Sequence, residues 1–420
     1  MWQGNFSKTG RLFLIYSLLS FTIQAQIPGR FEGQGPIKAV STESKPVLRQ
    51  WKGIFSFPNT NIFFRNDFPG GHLNGLTNVN DSTFAALIAP ENIPVNASPW
   101  YAFKVWSRSP VTITIRLTYQ QARHRYSPRI SRDRKNWMAA AATQPDKQRD
   151  TSGDYSFKLD VSKDTVWVAA QELLTSIETD KWVAGMVSKI GALRQTIGTS
   201  HQGRKIEVLG IGNAKSRDRL IVIGRQHPPE VTGQLAQQAF IDRIGDDDSL
   251  ARSFRRRFLL YVVPQMNPDG VDEGFWRHNA GGVDLNRDWH AFNQPETKAV
   301  RDFLNREISD SSIKLWFGLD FHSTHEDIFY IVDPKLKGVL PGLTQAWLND
   351  FEKAIPGYVP NIKPLYTDGP TYTSFSYLFK TYGTEALVYE IGDNTSREFI
   401  VLKSRLAAES LMRLLLAEVK

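Results

Sequence analysis

Hydrophobic and polar positions obey two rules along this chain, and the change falls near residue 172. From about residue 30 the apolar runs are short and alternating. Val111-Thr112-Ile113-Thr114-Ile115-Arg116-Leu117 places an apolar side chain at nearly every second position, the period of a strand with one face buried. Asn61 to Arg65, Thr83 to Ala89, Trp100 to Ser107 and Thr165 to Ala170 share that character, and Pro69-Gly70-Gly71 and Ser152-Gly153-Asp154 supply turns. Such segments without an amphipathic helix among them predict an antiparallel β-sandwich over residues 26–172.

Beyond residue 172 helical and strand-like runs alternate. Helices are expected over Thr175 to Leu193, Gly233 to Ile244, Pro295 to Ile308, Leu343 to Ala354 and Ser396 to Val419. Strands are expected over Arg204 to Leu209, Arg219 to Gly224, Phe258 to Val263, Lys314 to Phe321 and Ala386 to Ile391. This order predicts an α/β domain over residues 173–420 with a largely parallel, helix-covered sheet. Phe258 to Val263, apolar without a break, suits a central strand.

Composition adds boundaries. At 420 residues, with 41% hydrophobic and 12% aromatic residues, the chain can build two cores. Lys8 and Arg11 precede the uncharged stretch Leu12 to Ile23 and the small Ala25, which predicts a secretory signal over residues 1–25 and a secreted or periplasmic protein. No other stretch is apolar for long enough to cross a bilayer, so no stable membrane insertion is expected after cleavage. The chain has no cysteine, which excludes disulfides and thiol-linked lipids. The net charge of +8 includes two basic clusters, Arg123 to Lys135 and Arg252 with Arg255, Arg256 and Arg257. These read as solvated surface or as attraction for an anionic substrate. No nucleic-acid motif accompanies them, and no nucleic-acid partner is predicted.

The candidate chemistry lies at strand ends. His227 and Glu230 follow the strand at 219–224, Asn267-Pro268-Asp269-Gly270 follows 258–263, His322 ends 314–321 and Glu390 is near the end of 386–391. Open α/β sheets bind ligands beyond the carboxyl ends of their strands. Two histidines and a carboxylate are a donor set for one Zn²⁺ with a fourth position open. His325 is the rival third ligand, and His322 is preferred because it ends the strand. His72, His124 and His201 are expected to be exposed. Glu390, an ionisable group among apolar neighbours, is either a structural ion pair or the general base and acid that zinc hydrolysis needs. Between the ligands lie Arg277, Asp284, Asn286 and Arg287. A guanidinium matches a carboxylate two-on-two, so Arg287 beside Asn286 suits a peptide's free end. Arg277 suits an oxyanion, and Asp284 suits the second nitrogen of His227.

His227-Pro228-Pro229-Glu230, Asn267-Pro268-Asp269-Gly270, Arg277, Asp284-Leu285-Asn286-Arg287, Asp320-Phe321-His322-Ser323 and Tyr389-Glu390 together resemble the M14 zinc carboxypeptidases. Asn92-Ile93 and Ser98 to Val105 resemble the β-sandwich preceding the catalytic domain in the cytosolic carboxypeptidase branch. The resemblance implies an eight-stranded, mixed but largely parallel α/β sheet flanked by helices. It implies zinc on His227, Glu230 and His322, Glu390 as general base and acid, and Arg277 on the scissile carbonyl. Asn286 and Arg287 would then hold the terminal carboxylate of a peptide or protein substrate. Pro229 stands where that branch usually has glycine. Tyr366 and Tyr372 both suit the substrate-capping tyrosine, with Tyr372 favoured, and the specificity pocket is expected near Phe375. The expected activity is removal of C-terminal residues. Alternatives are cleavage of cell-wall peptides at the same site, an aspartoacylase-like amidohydrolase, and a binding protein on a peptidase scaffold.

Overall fold

The computed structural model describes residues 31–37, 45–140 and 153–419. The expected signal over residues 1–25 and part of the turn at Ser152 lie outside them. Among the described residues no helix is long and apolar enough to cross a membrane.

An eight-stranded sheet dominates the second half. Its strands run in the order 193–199, 205–212, 259–263, 218–224, 314–324, 385–392, 328–332 and 362–366. Four of its seven pairings are parallel, including the three that join the central strands 259–263, 218–224, 314–324 and 385–392. Leu220 and Val222 face one core with Phe317, Leu319, Phe321, Leu387 and Tyr389, under the helices Val231–Ile244, Leu343–Ala354 and Arg397–Glu418. Ile221 and Ile223 face the other with Tyr261, Val263, Tyr330 and Val388, under Pro295–Glu307 and Ser374–Tyr382. Helices on both faces leave no position for polar alternation, which is why these strands read as unbroken apolar runs.

The expected elements agree with the structure within a few residues, and the differences have physical causes. The helix expected to reach Leu193 stops at Ile190 because Gly191 takes a left-handed conformation, φ 65°, that ends the turn. Its start is fixed by a reciprocal Thr175–Glu178 capping box. The strand expected to end at Phe321 continues to Thr324, so His322 lies within it. Leu193–Thr199, Ile328–Val332 and Ile362–Tyr366 were not expected as strands. Two of these lie at the sheet edges.

The first half forms a six-stranded antiparallel sheet, in the order 54–56, 62–65, 102–107, 166–169, 129–131 and 138–139, and a four-stranded sheet of 75–80, 83–88, 111–119 and 155–161. The sandwich is not wholly antiparallel, because Thr83–Ile88 pairs parallel to Val111–Tyr119. The chain visits the other sheet at 102–107 between them and returns in the same direction. Its core also takes in Val231 and Trp276 from the second half, so the two halves share buried surface.

A buried ion pair pins the last helix. Lys403, fully buried on Arg397–Glu418, donates to Asp327, which also accepts from Gly392 N at 2.8 Å and Tyr358 Oη at 3.1 Å. Lys403→Met leaves that carboxylate without its cation, and we expect a loss of about 3 kcal/mol in denaturant unfolding. A second expectation concerns pH. Glu385 at the start of its strand is pushed up to about 7 by burial, against hydrogen bonds from Leu340, Gly338 and Thr344. The folded state thus binds a proton that the unfolded chain releases near its ordinary carboxylate pKa. The contribution is fully present below that ordinary value and is lost as pH rises through about 7. Glu385→Gln should therefore raise the melting temperature relative to wild type more at pH 8 than at pH 5, and an unchanged difference would refute the assignment.

Candidate metal centre

Glycine and strand alternation bring the cluster together. On the strand Lys314–Thr324, Phe317, Leu319 and Phe321 enter one core, which turns Asp320 and His322 to the opposite face. His322 is the register partner of Glu390 on the parallel strand Glu385–Gly392. The helix Val231–Ile244 begins beside them, with Glu230 as its N-cap residue. It approaches so closely that a Cβ on Gly233 would lie 2.5 Å from the His322 carbonyl oxygen. The loop before it is stapled by Arg225, a buried residue with φ 55°. Arg225 Nε donates to the Pro228 carbonyl at 2.8 Å, and a second nitrogen bonds Gln234.

His227 Nδ1 lies 2.8 Å from Glu230 Oε1, His322 Nδ1 lies 2.7 Å from Glu230 Oε2, and the two Nδ1 atoms are 3.2 Å apart. All three residues are buried. The opposite ring nitrogens are committed elsewhere. His227 Nε2 meets Asp284 Oδ1 and His322 Nε2 meets Asp320 Oδ2, each at 3.0 Å. A carboxylate only accepts, so each Nε2 carries the hydrogen and each Nδ1 turns its lone pair inward. Two lone pairs and a carboxylate converging on one point require a positive charge there. Burial alone would lower the His322 pKa, yet the charges of Asp320 and Glu230 hold it well above the ordinary histidine value. Either a proton or a cation answers that demand, and neutral imidazole nitrogens with a carboxylate oxygen are donors that zinc accepts. The residues fit the ion.

The loop carrying Arg277 and Arg287 is tied to this cluster by one carboxylate. Asp284 Oδ1 accepts from His227 and from the Asn286 backbone N–H at 2.9 Å, while Oδ2 accepts from Arg277 Nε at 2.7 Å. Asn286 Oδ1 accepts from Ser374 N at 3.1 Å, which orients its amide so that Nδ2 lies 3.2 Å from His322 Nε2. Both of those nitrogens are donors, so this is contact and leaves the Asn286 N–H groups uncommitted there. Arg287 is half-buried and has no carboxylate partner among the described residues; its bonds are to the Asn286 carbonyl at 2.7 Å and Gln34 Oε1 at 3.2 Å. Glu390 Oε2 is buried without a hydrogen-bond partner among the described residues. Its carboxyl is pushed up to about 8, first by burial and then by the charge of Glu230, against His322, Arg277 and Arg125.

Other expected residues fall elsewhere. His325 is exposed, packs edge-on to Phe31 with ring centres 6.2 Å apart, and is outside the cluster. Asn267 spends its amide on the carbonyls of Gln226 and His278, and Asp269 turns to Ser200 and Arg204, so that motif braces the loops. Tyr366 is buried with its hydroxyl on the Gly369 carbonyl, whereas the Tyr372 hydroxyl makes no hydrogen bond among the described residues. Phe375 is 1% exposed and packs in the core against Tyr366, so it does not line an open pocket. His72 is buried rather than exposed, its ring hydrogen-bonded to the Ala89 carbonyl at 3.0 Å. Arg255, Arg256 and Arg257 of the second basic cluster lie in the last turn of helix Ser249–Arg257, where Arg257 pairs with Asp218, and Arg252, one turn earlier, pairs with Asp247.

Other contributors had no role assigned from the sequence. Asp320, quoted there only as part of its motif, orients His322 and is itself held by Gln226, and a carboxylate two residues before a strand histidine is a same-face signal for that role. Glu91, from the first half, is buried and accepts from three successive backbone N–H groups, those of Trp276, Arg277 and His278, at 2.8, 2.9 and 2.7 Å. Asn92 bonds His278 and the Gly282 carbonyl. No pattern in the sequence pairs residues so far apart.

Comparison with known proteins agrees with this geometry. The sequence model of the zinc carboxypeptidase family matches residues 179–414. Cytosolic carboxypeptidase 3 of Bos taurus is 31% identical over 198 residues, 44% of this chain and 20% of that protein. An uncharacterized protein of Zymomonas mobilis is 27% identical over 233 residues, 53% of this chain and 58% of that protein. The chain therefore spans less than two thirds of either relative. Among solved structures, the metallo-carboxypeptidase from Pseudomonas aeruginosa has a TM-score of 0.70 at 23% identity, covering 85% of this chain and 100% of that one. That from Burkholderia cenocepacia has a TM-score of 0.69 at 20% identity, covering 85% and 98%. Both share the fold, including part of the first half. By its family match, the chain belongs to the zinc carboxypeptidase family.

Proposed function

We propose that this protein is a zinc-dependent exopeptidase that removes residues from the C-termini of peptides or proteins. The observation that carries the reading is Arg287, a half-buried guanidinium with no carboxylate partner among the described residues, on the loop whose Asp284 holds His227. An anion with a free end completes that environment, and a substrate's terminal carboxylate is such an anion.

His227, Glu230 and His322 would hold the ion, which when bound supplies Lewis-acid polarisation of a carbonyl and acidification of a water. Asp284 and Asp320 fix the two imidazoles in the tautomer that binds a metal. Arg287 and the uncommitted N–H groups of Asn286 grip the terminal carboxylate. Arg277, anchored through Nε to Asp284, directs its remaining donors at the carbonyl being attacked. Glu390 takes a proton from the attacking water and delivers it to the leaving amine. Its carboxyl is pushed up to about 8, and a cation between the histidines favours the ionised form. The two effects together bring it toward the neutral range in which one group serves as both base and acid. Tyr372, whose hydroxyl is uncommitted, is the tyrosine we assign to cap the substrate. We divide the chain into a signal over 1–25, a β-sandwich domain over 26–172 and a catalytic domain over 173–420, and place the protein outside the cytosol.

Two measurements test this. Glu390→Gln should lower kcat by about 10²- to 10⁴-fold on a peptide with a free C-terminus, with zinc content by atomic absorption unchanged. Retained activity with zinc bound would exclude Glu390 as the proton carrier. Arg287→Ala should raise KM for such a peptide by roughly ten- to a hundredfold, the loss of hydrogen bonds to a charged group. Wild type should hydrolyse the C-terminally amidated peptide poorly, and the variant should not distinguish the two. An arginine variant that still prefers the free acid would place carboxylate recognition elsewhere.

A further inference from the structure

We infer that Gln34 sets the affinity of the site, its carboxamide occupying Arg287 until the free carboxylate of a substrate replaces it. The inference rests on the proposed role of Arg287 and extends it to a segment far upstream of the family-matched residues 179–414.

Residues 31–34 are built onto the catalytic half. The Phe31 carbonyl accepts from Asn361 Nδ2 at 2.9 Å and the Glu32 carbonyl from Lys363 Nζ at 2.6 Å. Gln34 N donates to Tyr330 Oη at 2.8 Å. Gly33 is in the left-handed region, φ 65°, and a Cβ there would lie 2.3 Å from Tyr330 Oη, so only glycine lets the chain come this close. Tyr330 and Lys363 are register partners on the neighbouring strands Ile328–Val332 and Ile362–Tyr366. Anchored at these points, the segment delivers the Gln34 side chain to Arg287, where Oε1 accepts from Nη2 at 3.2 Å.

The exchange this sets up favours an anion. Gln34 offers Arg287 a neutral acceptor. A C-terminal amide or an internal carbonyl offers the same kind of acceptor, so displacing Gln34 with either gains nothing. A carboxylate brings a full opposite charge and two oxygens that match the guanidinium fork. Affinity for every ligand that must engage Arg287 is reduced by the fraction of molecules in which Gln34 already occupies it, and a free carboxylate is the ligand whose charge outweighs that cost.

Full-length wild type, Gln34→Ala, Gln34→Glu and Lys363→Ala should be compared on one peptide as free acid and as C-terminal amide. Binding of N-acetyl-leucine, which carries a carboxylate and no C-terminal residue to release, should be followed by calorimetry. Gln34→Ala should lower KM for the acid and Kd for N-acetyl-leucine roughly three- to tenfold, without narrowing the preference for acid over amide. Lys363→Ala, which removes one of the three hydrogen bonds that anchor the segment and does not touch Arg287, should act in the same direction with a smaller effect. Gln34→Glu places a carboxylate on Arg287 and should raise both constants about tenfold. The inference is overturned if Gln34→Ala raises KM, which would make Gln34 a substrate contact, or if neither Gln34 variant changes KM or Kd. If no variant hydrolyses either peptide while the Kd values shift as stated, the exopeptidase reading fails and the competition at Arg287 stands.

Discussion

The carboxylate of Asp284 is the interaction on which the site depends. One oxygen holds His227 in its tautomer and caps the turn at Asn286, and the other anchors Arg277. Burial opposes a charge at this position, but Arg277 and His227 keep its pKa well below the ordinary carboxylate range. Because a single rigid group makes all these bonds, the distance from the histidine–glutamate cluster to the arginine loop is set by bond geometry. A displaced Asp284 would disturb the proposed metal ligand and the proposed carbonyl-polarising arginine together.

The loop that follows the first-half strand Thr83–Ile88 reaches the same segment. Glu91 gathers three consecutive backbone N–H groups around Arg277, and Asn92 closes on His278 and Gly282. A buried carboxylate is tolerated where several donors converge on it. The shared core at Val231 and Trp276 adds apolar contact between the same halves. The sandwich is therefore a structural part of the rim that carries the proposed site, since the segment bearing Arg277 is held by Glu91 from the first half and by Asp284 from the second. The first-half basic cluster contributes as well: Arg125 pairs with Asp393, three residues beyond Glu390, at 2.8 Å.

What the sequence disclosed follows from how each feature is encoded. Central strands buried on both faces leave continuous apolar runs, and the start of the helix at Thr175 was legible locally, whereas its stop at Gly191 was read past. His227, Glu230, His322 and Glu390 stood out because polar residues at the ends of apolar strands have few structural explanations. Ile362–Tyr366 was not legible: it holds Lys363 and Pro364, and apart from the buried Tyr366 its side chains stay partly or fully exposed at the sheet edge, with no alternation. Glu91 and Gln34 were hidden for another reason. Each acts on a residue nearly two hundred or more positions away, and nothing in its own neighbourhood marks it.

The two loop arginines have different electrostatic states, and this bears on how a substrate would be oriented. Arg277 is ion-paired with Asp284, so its charge is largely offset at short range. Among the described residues Arg287 bonds only the Asn286 carbonyl and the Gln34 carboxamide, both neutral. An incoming anion is therefore drawn more strongly to Arg287 than to Arg277, although both belong to one loop. On the proposed function, this asymmetry selects between two otherwise similar binding poses. The terminal carboxylate goes to the unbalanced guanidinium, and the next carbonyl is left to the balanced one beside the cluster. An oxyanion forming at that carbonyl then meets donors already fixed by Asp284, which require no reorganisation as charge develops. Neutralising Arg287 with a protein carboxylate in place of Gln34 would remove the asymmetry, which is why a carboxamide at that position is compatible with the reading and a native acidic residue would not be.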